Sequence, residues 1–309
     1  MIGTAIKGLK IIEEGTEVYS GKLPVEGGYL LDTIYIPNEN CYLLRHNNQL
    51  FRKDIDENPA YLFMDVICGA RAGACFKYSI VQKRLIINKD MRNISVVNLQ
   101  TKTVEIEVEK TVGDILSDIK VFGPQDTRVA SASDDGYLLL YKLNYSQRQG
   151  SIVGSYKIDL MEERREVVRS LGVCSKHQHV LVEIGLKVSP WVSSRMLLFR
   201  MNNNQFTLKA FIDSLSQNIG RKYPLECYGY AGRNILWMGL STDKNGVVQI
   251  YSYDIEREEL KELEEKRISH QEDHPVKVHR VGDGFYYTGY VGKAMEVKIS
   301  FNSDCCILI

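Results

Sequence analysis

The chain has 309 residues, 44% of them hydrophobic and 25% charged, with 39 Lys and Arg against 39 Asp and Glu. That balance argues against a whole-protein attraction to nucleic acid or to an anionic membrane. No apolar run reaches the roughly 18 residues that a transmembrane helix needs.

The amino-terminal ten residues carry Lys7 and Lys10 but no long apolar core and no small-residue cleavage site, so they do not read as a secretory signal. From residue 29 onward, β-rich runs alternate with turn residues. Segments of four such runs start near residues 29, 74, 115, 166, 223 and 275. Propeller repeats recur roughly every 40 to 50 residues, and these starts fit that spacing if 142–150, 186–194 and 214–223 are insertions. Six blades are counted. A seventh requires a repeat hidden in the insertions or built from the first 28 residues. Residues 17–23 read as a closing outer strand that pairs with 295–301, and residues 305–309 compete for that place. Two stretches, 160–169 and 258–266, have helix-forming composition and read as solvated charged faces.

Residues 115–143 are the best-formed segment. A β-rich run at 119–122 is followed by the turn Gly123-Pro124-Gln125-Asp126, and a small-residue run at 128–133 by Asp134-Asp135-Gly136. The Asp-Gly pair tolerates the positive φ that a two-residue hairpin turn demands. A third β-rich run spans 137–143. This segment resembles one repeat of the WD40-like β-propeller family. The chain lacks the Gly-His and Trp-Asp dipeptides of typical repeats, and Tyr141-Lys142 stands where Trp-Asp is expected, so the family's Asp-His tetrad is not assigned. The resemblance implies an all-β fold: a closed β-propeller of four-stranded antiparallel blades, one domain over residues 1–309. It also implies a rigid, non-catalytic platform that binds proteins or peptides through its loop-rich faces.

The motifs for other chemistry are incomplete. His270 and His274 share i, i+4 spacing, but the glutamate does not follow the first histidine and no third ligand is evident, so they read as a polar loop. His177 and His179 flank Gln178 at a hairpin turn. The Gly-rich stretch between Cys68 and Cys75 lacks the lysine of a phosphate loop, and no dinucleotide fingerprint occurs. That stretch reads as a connector with Arg71 at its tip. The sialidase Asp-box fails at Ala132 and Leu139, and the Phe/Leu-Arg-Arg-Gly tetrapeptide of phosphoinositide-binding propellers does not occur. No cofactor and no metal is expected.

The seven cysteines are odd in number, scattered and free of any Cys-x-x-Cys pair. They read as reduced thiols in an intracellular protein. With the resemblance above, the leading reading is an interaction scaffold in the cytoplasm or nucleus of a eukaryotic cell. Cys306-Ile307-Leu308-Ile309 has the form of a prenylation signal, without a polybasic run before it. A lipid-anchored peripheral protein is therefore a competing reading. Another is a metal-dependent hydrolase with Asp32, Asp118, Glu226 and His279 gathered at a central channel. Tyrosine outnumbers the other aromatics, 18 against 9 Phe and 2 Trp, which favours interface use. Trp191 in the 186–194 insertion, Arg71 and Tyr137 are the candidate partner contacts, and Trp237 reads as core.

Overall fold

Short β-branched and aromatic runs, each stopped by Gly, Asn, Asp or Pro, favour strands joined by tight turns over helices. The computed structural model bears this out. It describes residues 2–3, 9–13, 16–21, 30–46, 49–54, 60–65, 76–88, 93–114, 116–174, 178–213, 224–231, 235–240, 247–254, 256–267, 275–281, 284–289 and 294–297. Among them the only helical pieces are the 3-10 turns Pro37–Glu39, Pro124–Asp126 and Glu162–Arg164. The chain divides into two compact units, one of residues 1–159 with 168–170 and one of 160–167 with 171–309.

The first unit begins with a three-stranded sheet of β1 (Ile2–Gly3), β2 (Leu9–Glu13) and β3 (Thr16–Gly21). The next sheet holds β4 (Leu30–Ile36), β5 (Cys41–His46), β6 (Gln49–Asp54) and β7 (Tyr61–Asp65). It is followed by β8 (Phe76–Ser79), β9 (Arg84–Asn88), β10 (Asn93–Asn98) and β11 (Val104–Glu109). The fourth sheet holds β12 (Leu116–Phe122), β13 (Arg128–Ser133), β14 (Tyr137–Asn144) and β15 (Gln149–Lys157).

The second unit carries β16 (Glu166–Cys174), β17 (His179–Leu186), β18 (Ser189–Asn202) and β19 (Gln205–Asp213) as one sheet. A further sheet is β20 (Pro224–Ala231), β21 (Ile235–Leu240), β22 (Val247–Asp254) and β23 (Glu259–Arg267). The last described sheet is β24 (Pro275–Val281), β25 (Gly284–Gly289) and β26 (Ala294–Val297). Every pairing described is antiparallel between chain neighbours, so each sheet is a meander.

Sequence counting gives six sheets because the first 28 residues show no four-run pattern. The described residues form seven, and the seventh is β1–β3. The strand within 17–23 is thus not a lone outer strand: β3 pairs with β2 in its own sheet. One expected insertion, 142–150, is an ordinary hairpin, because β14 runs on to Asn144 before a four-residue turn. At 186–194 only Lys187 and Val188 separate β17 from β18, but β18 carries extra residues there: 190–192 bulge out between the Leu186–Ser189 and Gly185–Ser193 pairs. The third, at 214–223, lies outside the described residues. The charged stretch at 258–266 is strand β23, and 160–169 gives a single 3-10 turn before β16.

The core lies between sheets, and a period of two builds it. In β9, Leu85 and Ile87 pack with Ile36, Leu43, Leu50 and Phe63 of the preceding sheet. Ile86, between them in sequence, packs the other way, with Ile119, Val129, Leu139 and Tyr141 of the following sheet. An inner strand covered on both faces is buried throughout, so 85–87 of β9 and 138–141 of β14 read as continuous apolar runs, while β13 fills its place with small residues, Ala130, Ser131, Ala132 and Ser133. The outer strand β11 instead alternates buried Ile106 and Val108 with more exposed glutamates. Gly150 on β15 lies so close to β11 that a Cβ there would collide with Val108 Cγ2.

A second regularity is invisible in the sequence. In six of the sheets the last two strands share a register shift, with one extra residue on the outer strand. The extra residue is Val18, Phe63, Glu105, Val153, Lys209 or Leu263. Such β-bulges bend the strand and add twist. In β19 the consequence is direct. Leu208 faces Phe199 and Ala210 faces Leu198, so the bulge at Lys209 reverses which alternate residues share a face. Phe206, Leu208 and Phe211 fall on one side, and Ala210 and Ile212 on the other. Phe206 meets Phe199 edge-on at 6.4 Å, while Ala210 and Ile212 join Met196 and Leu198.

Candidate functional site: a face of linked turns

In the first unit, the turns joining first and second strands of successive sheets are cross-linked. Each needs left-handed backbone, at Asn40 (φ 48°), at Lys83 (φ 52°), and at Gln125 and Asp126 (φ 54° and 55°). Polar side chains are favoured there because they hydrogen-bond locally and tolerate positive φ. Asn38 donates from Nδ2 to the carbonyl of Ile80 at 3.3 Å. Ser79 Oγ donates to Asp126 Oδ2 at 2.7 Å and accepts the backbone N–H of Gln82 at 3.0 Å. Gln82 Nε2 donates to the carbonyl of Gln125 at 2.9 Å, and the Tyr145 hydroxyl to the carbonyl of Asp126, also at 2.9 Å. Three turns separated by whole blades of sequence are thereby held as one surface.

That surface presents apolar groups. Ile80 and Val81 are 55% and 62% exposed at the tip of the β8–β9 turn. Neighbouring charges are mostly matched: Arg52 lies 3.5 Å from Glu39, and Arg84 binds Glu105 through Nε at 2.5 Å and a second nitrogen at 3.1 Å. The hydrogen bonds from Arg84 outweigh partial burial and hold the Glu105 carboxyl below its usual range. Lys83, exposed in the turn itself, and Arg128, packed over Gly123, have no carboxylate partner among the described residues.

The opposite hairpin of the fourth sheet is a closed structural knot. Ser117 Oγ donates to Asp134 Oδ1 and Ser133 Oγ to Asp135 Oδ1, both at 2.5 Å. Asp135 Oδ1 also accepts the backbone N–H of Asp114 at 3.0 Å. The Lys157 ammonium lies 3.6 Å from Asp135 Oδ2 and 4.0 Å over the Tyr137 ring. Partial burial pushes the Asp135 carboxyl up, but the bonds from Asp114 and Ser133 and the Lys157 charge outweigh it, leaving it below its usual range. Tyr137, a candidate contact, is therefore half-buried beneath a lysine.

In the second unit the Glu166 side chain is fully enclosed. Its carboxylate accepts Ser194 Oγ at 2.5 Å, the Met161 N–H at 2.9 Å, and Arg195 at 2.5 and 3.1 Å. Both oxygens are satisfied, which marks a structural pair and not an open acid.

Other sequence candidates divide clearly. Trp191 lies within strand β18, in the stretch 190–192 that has no partner on β17, and its side chain is outside the described residues. Arg71, Cys306, His177, His270, His274 and residues 68–75 lie outside them altogether. Asp118 is buried, with Lys120 Nζ 3.1 Å from Oδ2 and the Ile119 N–H donated to Oδ1 at 2.8 Å. The side chains of Asp32, Glu226 and His279 are outside the described set, as is that of Trp237. His179 is buried at the start of β17. Cys41 is enclosed, and burial pushes its thiol up to about 11, which makes it unreactive. Among the described residues no three His, Cys, Asp or Glu are grouped to hold a metal, and no helix is long and apolar enough to cross a membrane.

The sequence reading missed the linked turns. The signal was present in Ser79-Ile80-Val81-Gln82, where two aliphatic residues interrupt a turn that polar residues should fill.

Meander sheets packed face to face, with their inner strands apolar on both sides, define a β-propeller. Solved structures agree. The β-propeller domain of Nup133 from Vanderwaltozyma polyspora superposes with a TM-score of 0.62 at 9% identity, over 95% of this chain and 89% of that one. Raptor from Chaetomium thermophilum gives 0.61 at 12% identity over 90% of this chain, which spans 25% of the Raptor chain. A Lactobacillus plantarum protein gives 0.62 at 11% identity, covering 84% of this chain and 77% of its own. No protein-family model matches the chain, and no curated protein matches it.

Proposed function

We propose that this chain is a non-catalytic interaction platform that binds partner proteins or peptides through the turns of one propeller face. The observation that carries the reading is the hydrogen-bonded lacing of three turns around exposed Ile80 and Val81. A surface whose backbone is already fixed loses little entropy on binding, and exposed aliphatic groups on it supply the buried area. The WD40-like character of residues 115–143 supports the same reading, as does the chemically closed state of the described acidic groups Asp118, Asp135 and Glu166. Such a platform works in the cytoplasm or nucleus, with protein and not nucleic acid as its partner.

The test is affinity purification with quantitative mass spectrometry from the native organism. Wild type, the Ile80→Asp/Val81→Asp double variant and Trp191→Ala are compared. The expected result is a partner set that the double variant loses while its thermal unfolding stays that of wild type. Recovery of the same set by the double variant removes this face from the function.

A further inference from the structure

Three turns between third and fourth strands hold a long charged residue in left-handed backbone. These are Lys102 (φ 57°) before β11, Arg148 (φ 53°) before β15 and Glu258 (φ 54°) before β23. Glycine and asparagine take that conformation at least cost, so a lysine, an arginine and a glutamate there point to a use for the side chain. Each one interacts with the residue that carries the bulge on the outer strand of the preceding sheet. Lys102 Nζ stands 5.2 Å from the centre of the Phe63 ring and 5.7 Å from that of Tyr61. Arg148 adds its charge to the Glu105 carboxylate, whose direct partners are Arg84 and Asn98. Two residues further on, Gly150 is the glycine pressed against Val108 of the same outer strand. Lys209 Nζ donates to Glu258 Oε1 at 2.6 Å, and that bond holds the Glu258 carboxyl below its usual range. Phe63, Glu105 and Lys209 are the extra residues of β7, β11 and β19.

We propose that each of these bulges is a seat for the turn of the following sheet, and that the chemistry of the seats selects which turn sits on which outer strand. A bulge takes one side chain out of the alternation that its own sheet imposes and re-aims it, here toward the next sheet. The Phe63 and Glu105 seats accept a cation and repel Glu258, through the negative face of the ring in one case and the carboxylate in the other. The Lys209 seat accepts an acid and repels Lys102 and Arg148. Such matching has a purpose in a chain of similar sheets, which compete to pack against one another as the chain folds. The proposal holds whichever surface binds a partner.

The test is hydrogen exchange on the full-length chain and its variants, read at amides that these turns hold. Lys102 N–H donates to the carbonyl of Asn98 at 2.8 Å, and the Glu256 and Arg257 N–H groups donate to Asp254 Oδ1 at 3.0 and 3.1 Å. Lys209→Glu and Glu258→Lys should each speed exchange at 256 and 257 by about two- to fivefold, the scale of one exposed ion pair. The exchanged pair Lys209→Glu/Glu258→Lys should return to wild-type rates, because it rebuilds the contact with its charges reversed. Lys102→Glu should speed exchange at residue 102 by a similar factor, while Lys102→Arg, which keeps a cation over the two rings, should not. Amides of the enclosed strands β9 and β17 should keep wild-type protection throughout. Unchanged rates in Lys209→Glu, an exchanged pair no slower than the single variants, or equal rates in Lys102→Glu and Lys102→Arg overturn the proposal. Acceleration that spreads equally through β9 or β17 overturns it too, since the contact would then support the whole unit and not the seating of one turn.

Discussion

At the scale of single residues, the chain spends its charged and hydroxylic groups on fixing turns. Asp135 shows how. Its sequence context is an Asp-Gly turn, and its carboxylate is taken up by the Asp114 N–H, the Ser133 hydroxyl and the Lys157 ammonium. Those partners hold its pKa below the ordinary value of 3.8. A carboxyl whose folded pKa is depressed adds stability that is present above the unfolded value and lost as pH falls through the folded one. The unfolding midpoint in urea should therefore drop as pH is lowered below about 4, part of that drop arising at this turn. Asp135→Asn should lower the midpoint at pH 7 and flatten the acid limb relative to wild type. An unchanged acid limb in the variant would place the linkage elsewhere. The hairpin itself was legible from Asp-Gly, and Gly136 does adopt φ 96°, although the loop has three residues, 134–136, and Asp135 is not in the positive-φ region. Its hydrogen-bond partners were not, since Asp114 and Lys157 lie about 20 residues away on either side.

At the scale of elements, strand type was legible and strand register was not. Period-two alternation puts Phe206, Leu208, Ala210 and Ile212 on one face. The bulge at Lys209 breaks that set, and the residue carrying the equivalent bulge differs from sheet to sheet, from Phe63 to Glu105 to Val153. A shift caused by sheet twist leaves no constant residue to read. The β19 register makes a quantitative claim. Ile212 is buried with Met196 and Leu198, so Ile212→Ala should cost about 2 to 4 kcal/mol in chemical denaturation. Phe211, 60% exposed on the other face, should cost under about 0.5 kcal/mol when replaced by alanine. Equal costs at the two positions would rule out the bulged register. The same limit explains why the sequence leaves the first sheet only as an alternative: β1 is two residues long, too short to show any period.

At the scale of the molecule, sheets of the first unit are tied to one another in two ways, and apolar packing and turn lacing do different work. Packing between β9 and its two neighbouring sheets is non-directional and reads from the sequence as continuous apolar runs. The lacing is directional and joins Ser79 to Asp126 across 47 residues, a pairing no local pattern announces. If the lacing fixes the face, the Ser79–Asp126 bond should contribute more to local order than to global stability. A double-mutant cycle of Ser79→Ala and Asp126→Asn should give a coupling of about 1 to 2 kcal/mol, as for a hydrogen bond to a carboxylate. Hydrogen exchange should separate the two scales. The Gln82 amide, which donates to Ser79 Oγ, should exchange faster in Ser79→Ala, while amides of the enclosed β9 and β10 strands keep wild-type protection. Uniform acceleration through both strands would mean that the bond supports the whole unit and that the turns are no more rigid than the sheets beneath them. Acceleration confined to residues 79–83 and 123–127 would show that the face is held by its own hydrogen bonds. A preorganised binding surface requires that arrangement, because its shape must persist while the partner is absent.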